Sequence, residues 1–153
     1  MLRNAVTFLG APLLLAVPLA TATAASVPAP AISVEGAWSR PALPGMSTGV
    51  IYLTVVNHGR GADRLTGASS PMAAHVGLHR SAMSGGVSTM EAVKAGLEVP
   101  AHGTARLEPN GYHLMMMGLK GGLSAGSSFP ASLVFAHAGA VKITVQVRAT
   151  PPG

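Results

Sequence analysis

Short apolar runs, each ended by a cluster of Gly, Pro, Ser or Asn, recur along the chain from about residue 32 onward. The run over residues 48–57 is the clearest, because its Val, Ile, Tyr and Leu residues are those that strands favour. No later stretch has the spacing of an amphipathic helix, so the pattern predicts an all-β antiparallel sandwich of about eight or nine strands. The predicted strands cover residues 32–39, 48–57, 63–69, 72–80, 87–93, 104–107, 112–119, 132–135 and 141–147.

The start of the chain follows another pattern. Arg3 precedes an apolar centre over residues 5–20, and a small-residue Ala-Thr-Ala cleavage motif ends at residue 24. The apolar centre is short and contains two prolines, which disfavours a permanent membrane span. We therefore expect residues 1–25 to be a secretory signal peptide and residues 26–150 to form one domain, with no membrane span in the mature form.

The composition narrows the classes of function. The chain has 153 residues, of which 48% are hydrophobic and 10% are charged, and its formal net charge is +5. Its Lys and Arg residues are scattered singly and its aromatic residues make up only 4%, so we expect no nucleic acid as a partner. Five acidic residues are too sparse to suggest paired catalytic carboxylates, and nucleophile-elbow and phosphate-loop motifs are lacking. We therefore expect no enzyme.

Cysteine is absent from the sequence, although an exported protein enters a compartment where disulfides form. This absence excludes a thiolate blue-copper centre, a Cys nucleophile and an iron–sulfur cluster held by Cys. Any site for a soft metal ion must therefore be built from the six histidines and eight methionines.

The predicted strand over residues 112–119 joins these two residue types. His113 and Met115 fall on one face of it, while Leu114 and Met116 fall on the other and are the natural core residues. Imidazole and thioether groups are soft, uncharged donors that suit Cu(I) better than Mg, Ca or Mn. Methionine also fills irregular cores well, so this run alone leaves packing open as an alternative.

The order of donors along the chain resembles that of the PCuAC family of periplasmic copper chaperones. His79 is followed after ten residues by Met90 and, after a longer gap, by His113 and Met115 in a His-x-Met motif. The resemblance also extends to framework segments spread over nearly the whole mature chain. These segments are Gly36-Ala37-Trp38-Ser39-Arg40, Thr48-Gly49-Val50-Ile51-Tyr52-Leu53, Asp63-Arg64-Leu65, Val76-Gly77-Leu78-His79 and Asn110-Gly111-Tyr112-His113-Leu114-Met115.

This resemblance implies a cupredoxin-like, Greek-key β-sandwich that binds one Cu(I) through His79, Met90, His113 and Met115. It further implies a periplasmic protein that delivers copper toward the copper centre of cytochrome c oxidase, with subunit II of that oxidase or a Sco-type assembly factor as partner. Two alternatives stay open. One is a general periplasmic protein for copper storage or scavenging, and the other is a β-sandwich interaction module without a metal.

The chain departs from the family pattern in one spacing. The 22 residues between Met90 and His113 are one more than is usual in the family, which we expect to be accommodated in a loop such as residues 100–104. This departure makes Met83 an alternative to Met90 as a ligand. The end of the chain, residues 150–153, has no His or Met, so we expect a single metal site.

The remaining histidines and methionines have simpler interpretations. His75 shares a strand face with His79, which makes it a candidate for a secondary contact at the site. Trp38 is expected either in the core or as a lid near the metal. Surface positions are expected for His58, His102 and His137, and core or site-rim positions for Met46, Met72, Met116 and Met117.

Overall fold

A computed structural model describes residues 31–153, so the predicted signal peptide lies outside the described residues. Ten strands form within this range, and no helix in it is long and apolar enough to cross a membrane. The strands are β1 (Ile32–Ser39), β2 (Thr48–Asn57), β3 (Asp63–Ser69), β4 (Ala73–Ser84), β5 (Val87–Ala92), β6 (Leu97–Val99), β7 (Thr104–Leu107), β8 (Tyr112–Leu119), β9 (Ser128–Phe135) and β10 (Gly139–Val147).

Seven of these strands close into a ring. Its order is β4, β8, β2, β1, β10, β9 and β3, and the pair formed by Ala68 of β3 and Val76 of β4 completes it. Every pairing in the ring is antiparallel except that of β1 with β10, where Trp38 lies opposite Gln146 in parallel register. The other three strands attach to this ring: β5 to β4, β6 to β3 and β7 to β2.

The predicted all-β class is confirmed, with three main differences in the strands. β4 continues to Ser84, four residues beyond its predicted end. β6 was not predicted, because its three residues are too few to display an alternation. β9 begins at Ser128, four residues earlier than predicted, and runs through Pro130. Proline is tolerated there because β3 pairs with β9 only from Ser132 onward, which leaves the strand with a free edge at Pro130.

The interior of the ring holds the apolar core. On β8, Leu114 and Met116 are fully buried and lie opposite Leu78 and Val76 of β4. Fully buried Ile51 of β2 pairs with Leu114 from the other side. Because side chains alternate along a strand, the residues between these positions point to the outer face of the ring. The prediction that Leu114 and Met116 are core residues is thus confirmed.

The hairpin of β4 and β5 forms an edge beside the ring. Its turn is Gly85 and Gly86, both with positive φ (58° and 78°), which is the backbone that a two-residue hairpin turn requires. The turn sets the register by pairing Ser84 with Val87, and all six residues of β5 are exposed. β5 therefore presents its side chains to solvent along one margin of the sheet.

Candidate metal centre

His79 of β4 and His113 of β8 are direct cross-strand partners on the outer face of the ring. Their ring centroids lie 6.1 Å apart and the ring planes differ by 21°, so the imidazoles are nearly parallel. The antiparallel register of two ring strands therefore brings together two histidines that are 34 positions apart in the sequence.

The two imidazoles are held in the same way by the backbone. Nδ1 of His79 lies 3.2 Å from the carbonyl oxygen of Gly77, and Nδ1 of His113 lies 3.1 Å from that of Gly111. A carbonyl oxygen can only accept, so each Nδ1–H donates and each Nε2 retains its lone pair. Metal-binding histidines are commonly oriented by such a bond at the nitrogen that does not ligate.

The Nε2 atom of His113 is buried without a partner. The residue is only 2% exposed, and among the side-chain nitrogen and oxygen atoms of residues 31–153 this is the one that is buried and makes no hydrogen bond. Burying a polar atom without compensation costs free energy. A ligated cation is one partner that would offset this cost, so the observation fits a metal-binding role for this nitrogen.

Met115 lies on the same outer face, two residues along β8 from His113. It is half-buried and lies between Gly77 of β4 and Val50 of β2 in the registers of the two neighbouring strands. A Cβ atom at Gly77 would lie 3.2 Å from Cε1 of His79, which is closer than ordinary packing. The bare backbone of Gly77 therefore leaves room for the His79 ring.

The edge strand places Met90 near His79. Met90 pairs with Ser81, which follows His79 by two residues on the same face, so Met90 and His79 are diagonal neighbours. Such neighbours have Cα atoms about 7–8 Å apart, within reach of a long side chain. Met83 also shares this face, but it lies four residues from His79, on the order of 13 Å along the strand. The register therefore brings Met90 closer to His79 than Met83.

Exposure distinguishes Met90 from the other three candidate ligands. Its side chain is 57% exposed, whereas His79 and Met115 are half-buried and His113 is buried. Three donors are thus held by packing within the ring, and the fourth projects from a solvent-exposed edge strand.

Beyond Gly77 and Met115, the next cross-strand pair on the outer face of β4 and β8 is His75 and Met117. His75 is exposed and Met117 is half-buried. The other histidines lie away from these donors: Nε2 of His58 bonds the hydroxyl of Ser33 at 2.9 Å, and His102 and His137 lie in exposed turns.

Trp38 is a buried aromatic residue of β1, which agrees with a packing role for it. It is 5% exposed and packs on Tyr52 with ring centroids 4.9 Å apart. Tyr52 alternates with Ile51 and Leu53, whose side chains form part of the interior core, so Tyr52 and its partner Trp38 lie on the outer side of the sheet. Trp38 is buried outside the apolar interior.

Hard divalent ions have little to bind near these residues. Within residues 31–153, no three side chains drawn from His, Asp and Glu gather closely enough to hold a metal ion. Mg²⁺ and Ca²⁺ require several oxygen ligands, whereas imidazole and thioether groups suit a softer ion. The donor chemistry at this face therefore fits monovalent copper.

Comparison with known proteins assigns these features to a family. The family described as "Putative lipoprotein LpqE-like" matches residues 32–147, which spans the ten strands. A curated relative, "Putative lipoprotein Lxx21020" of Leifsonia xyli subsp. xyli, is 34% identical over 117 residues, covering 76% of this chain and 69% of the relative.

Two solved structures with the same fold contain copper. The "Copper-bound PCuAC domain from PmoF2" superposes with a TM-score of 0.66 at 26% identity, covering 78% of this chain and 94% of that one. The solution structure of "CuI-DR1885" from Deinococcus radiodurans has a TM-score of 0.61 at 29% identity, covering 86% and 84%. The predicted resemblance to the PCuAC family is confirmed by these matches.

Proposed function

Because the chain belongs to the LpqE-like family and has the fold of PCuAC domains, we propose that it is a Cu(I) carrier of the cell envelope. The ion is its cargo, bound by His79, Met90, His113 and Met115. The observation that carries this proposal is the buried, unpartnered Nε2 of His113 beside a second imidazole whose Nε2 is also left available.

The donor set favours Cu(I) over other ions of similar size. Two neutral imidazoles and two thioethers match the softness of Cu(I) and add no negative charge that would attract a divalent ion. Thioethers also persist in an oxidising compartment where thiols form disulfides, although methionine can be converted to its sulfoxide. The site therefore suits copper handled outside the cytoplasm.

Release is as important for a carrier as binding. The exposed Met90 lies on an edge strand, so an acceptor protein can approach the ion from that side and replace this donor first. Both "apo-DR1885" and "CuI-DR1885" have solved structures, so a similar protein is folded with and without Cu(I). We propose the copper centre of cytochrome c oxidase as the destination, reached through its subunit II or a Sco-type assembly factor.

The location follows from two independent indications. The relatives carry the description "putative lipoprotein", which supports a place in the cell envelope. The predicted signal peptide over residues 1–25 directs the chain out of the cytoplasm. We propose the periplasm as the compartment in which the domain works.

A Cu(I) titration against a competing chelator tests the binding step. We expect the wild-type protein to retain one equivalent and His113→Ala to bind at least about tenfold more weakly. Even mutation of a residue that only hydrogen-bonds a metal ligand lowers metal affinity by about 10–100-fold. His58→Ala is the matched control, since His58 lies on the surface and bonds Ser33. Wild-type affinity in His113→Ala would refute the site.

A transfer experiment tests the destination separately. Loaded protein is mixed with the soluble copper domain of oxidase subunit II and, in a parallel sample, with a Sco-type factor. Copper appearing in either acceptor supports the carrier function. Tight binding without transfer to either one would instead favour the alternative of copper storage or scavenging.

A further inference from the structure

Beyond the four donors, the outer face of the ring carries a second pairing of imidazole with thioether. His75 of β4 lies directly opposite Met117 of β8, two residues along from the pair formed by Gly77 and Met115. Side chains of directly opposite residues have Cβ atoms about 4.5–5.5 Å apart, so both donors can reach one ion between them. The proposed four-ligand site includes neither residue.

These two residues and His79 line one surface cavity. Its volume is about 420 Å³, and β5 and the residues after it contribute part of its wall. Lys94 is the one charged residue in that wall, and carboxylates are absent from it. A nearby positive charge disfavours a divalent ion twice as strongly as a monovalent one. The cavity therefore combines soft donors with a charge that keeps cation binding weak.

Gly77 connects this cavity to the first site. The position of a Cβ atom at Gly77 lies 3.4 Å from Nε2 of His75 and 3.2 Å from Cε1 of His79. The imidazoles of His75 and His79 therefore approach the backbone of Gly77 from its two sides. His75 is exposed, so an ion arriving from solvent can reach its imidazole.

We propose that His75 and Met117 form a second, weaker Cu(I) site from which the ion enters the first. This inference rests on the proposed function, since it concerns the path of the same cargo. His79 borders both places, so the ion can exchange donors one at a time as it moves. Copper stays monovalent throughout, and the step changes only which nitrogen and sulfur atoms coordinate it.

The second site binds more weakly because it offers two donors where the first offers four. We expect its Cu(I) affinity to be at least about tenfold lower, since losing even a residue that hydrogen-bonds a ligand lowers metal affinity by about 10–100-fold. A chelator that competes with the first site removes copper from the second, so the chelator titration counts one equivalent. Titration without chelator reveals the second.

The test uses the protein labelled with ¹³C at the methionine methyl groups and titrated anaerobically with Cu(I) supplied as its acetonitrile complex. The first equivalent should shift the methyl signals of Met90 and Met115. The second should shift that of Met117. Met83 is the internal control, because it lies exposed on the same face of β4 but opposite Ser88 rather than a histidine.

Two variants locate the second step. His75→Ala and Met117→Leu should abolish the second equivalent and leave the first unchanged, while Met83→Leu should leave both unchanged. His75 is exposed and Met→Leu nearly conserves volume, so both variants should fold.

The outcomes separate this inference from the proposed function. If Met83 shifts together with Met117, or if His75→Ala still binds the second equivalent, the second site is refuted while the first stands. If the first equivalent leaves Met90 and Met115 unshifted, the proposed function fails and this inference fails with it.

Discussion

Met115 and Met116 are consecutive residues of β8, yet their side chains lie on opposite faces of the ring. Met116 is fully buried opposite Val76, and its Cε atom lies 2.8 Å from where Gly49 would carry a Cβ. Met115 is half-buried on the outer face, opposite Gly77. Two identical side chains thus meet entirely different surroundings, which makes this pair a direct test of what each sulfur atom does.

The same substitution at the two positions should separate binding from packing. Met116→Leu should change the free energy of unfolding by less than about 1.5 kcal/mol and leave Cu(I) affinity near that of the wild type. Met115→Leu should also fold, but its Cu(I) affinity should fall at least about tenfold, because a direct donor matters no less than an outer-shell partner. Urea denaturation and chelator competition measure the two quantities. Equal Cu(I) affinities in the two variants would mean that Met115 contributes only to packing.

Met90→Leu and Met83→Leu compare two exposed methionines of one hairpin. Met90 is the diagonal neighbour of His79, whereas Met83 lies four residues from His79 along β4. Met90→Leu should therefore weaken Cu(I) binding at least about tenfold, and Met83→Leu should not. Both side chains are exposed, so neither change should alter stability measurably. If chelator competition instead shows weaker binding in Met83→Leu and not in Met90→Leu, Met83 is the ligand in place of Met90.

Gly77→Ala should weaken Cu(I) binding without unfolding the protein. The added methyl group would lie 3.2 Å from the His79 ring, so that ring must shift by a few tenths of an ångström from its present position. Gly77 has no positive φ, and the substitution therefore carries no backbone strain. We expect at least about a tenfold loss of affinity, comparable to that of disturbing a ligand's orientation.

Gly67→Ala is the matched control for that variant. Gly67 lines the same cavity from β3, but a Cβ atom there would meet nothing within 4 Å. Its Cu(I) affinity should equal that of the wild type in the same titration. Wild-type affinity in Gly77→Ala as well would mean that the position of the His79 ring does not limit binding.

Asp63 should make stability depend on pH in the acid range. Burial alone would raise the pKa of its carboxyl, but the backbone N–H groups of His137, Arg64 and Ala138 donate to it, and the pKa is lowered below the usual 3.8. A carboxyl with a lowered folded-state pKa stabilises the fold above its unfolded-state pKa and loses that contribution as pH falls through the folded-state value.

Asp63→Asn should remove this contribution. Its free energy of unfolding at pH 7 should be lower by about 1–3 kcal/mol, because buried N–H groups lose a charged acceptor. The difference from the wild type should shrink as urea denaturation is repeated at progressively lower pH, below about 4. Glu98→Gln serves as control, since Glu98 forms an exposed ion pair with Arg64 and should contribute little. A difference that stays constant with pH would contradict the assignment.

Most of the fold could be predicted because the ring has an inside and an outside. An apolar interior requires alternation, which is why Leu114 and Met116 could be recognised as core from the sequence. β6 could not, since three residues carry too little pattern. The parallel pairing of β1 with β10 joins residues far apart in the chain, and local sequence does not specify it.

The position of Met90 could have been derived from the turn alone. A Gly-Gly pair between two apolar runs is typical of a two-residue hairpin, and counting outward from Gly85 and Gly86 pairs Ser81 with Met90. By contrast, the approach of His79 to His113 depends on which strands become neighbours in the ring. The importance of Gly77 had no local signal, because only the assembled sheet places it between two imidazoles.

The parallel contact of Trp38 with Gln146 has a consequence for how the chain matures. Joining such distant segments costs loop-closure entropy before the contact stabilises anything, which makes the closing step slow. A chain that emerges stepwise from a ribosome or an export channel cannot close its ring until Gln146 has emerged. Until then β1 keeps an unpaired edge exposed, and that edge is where assisted folding or self-association would begin.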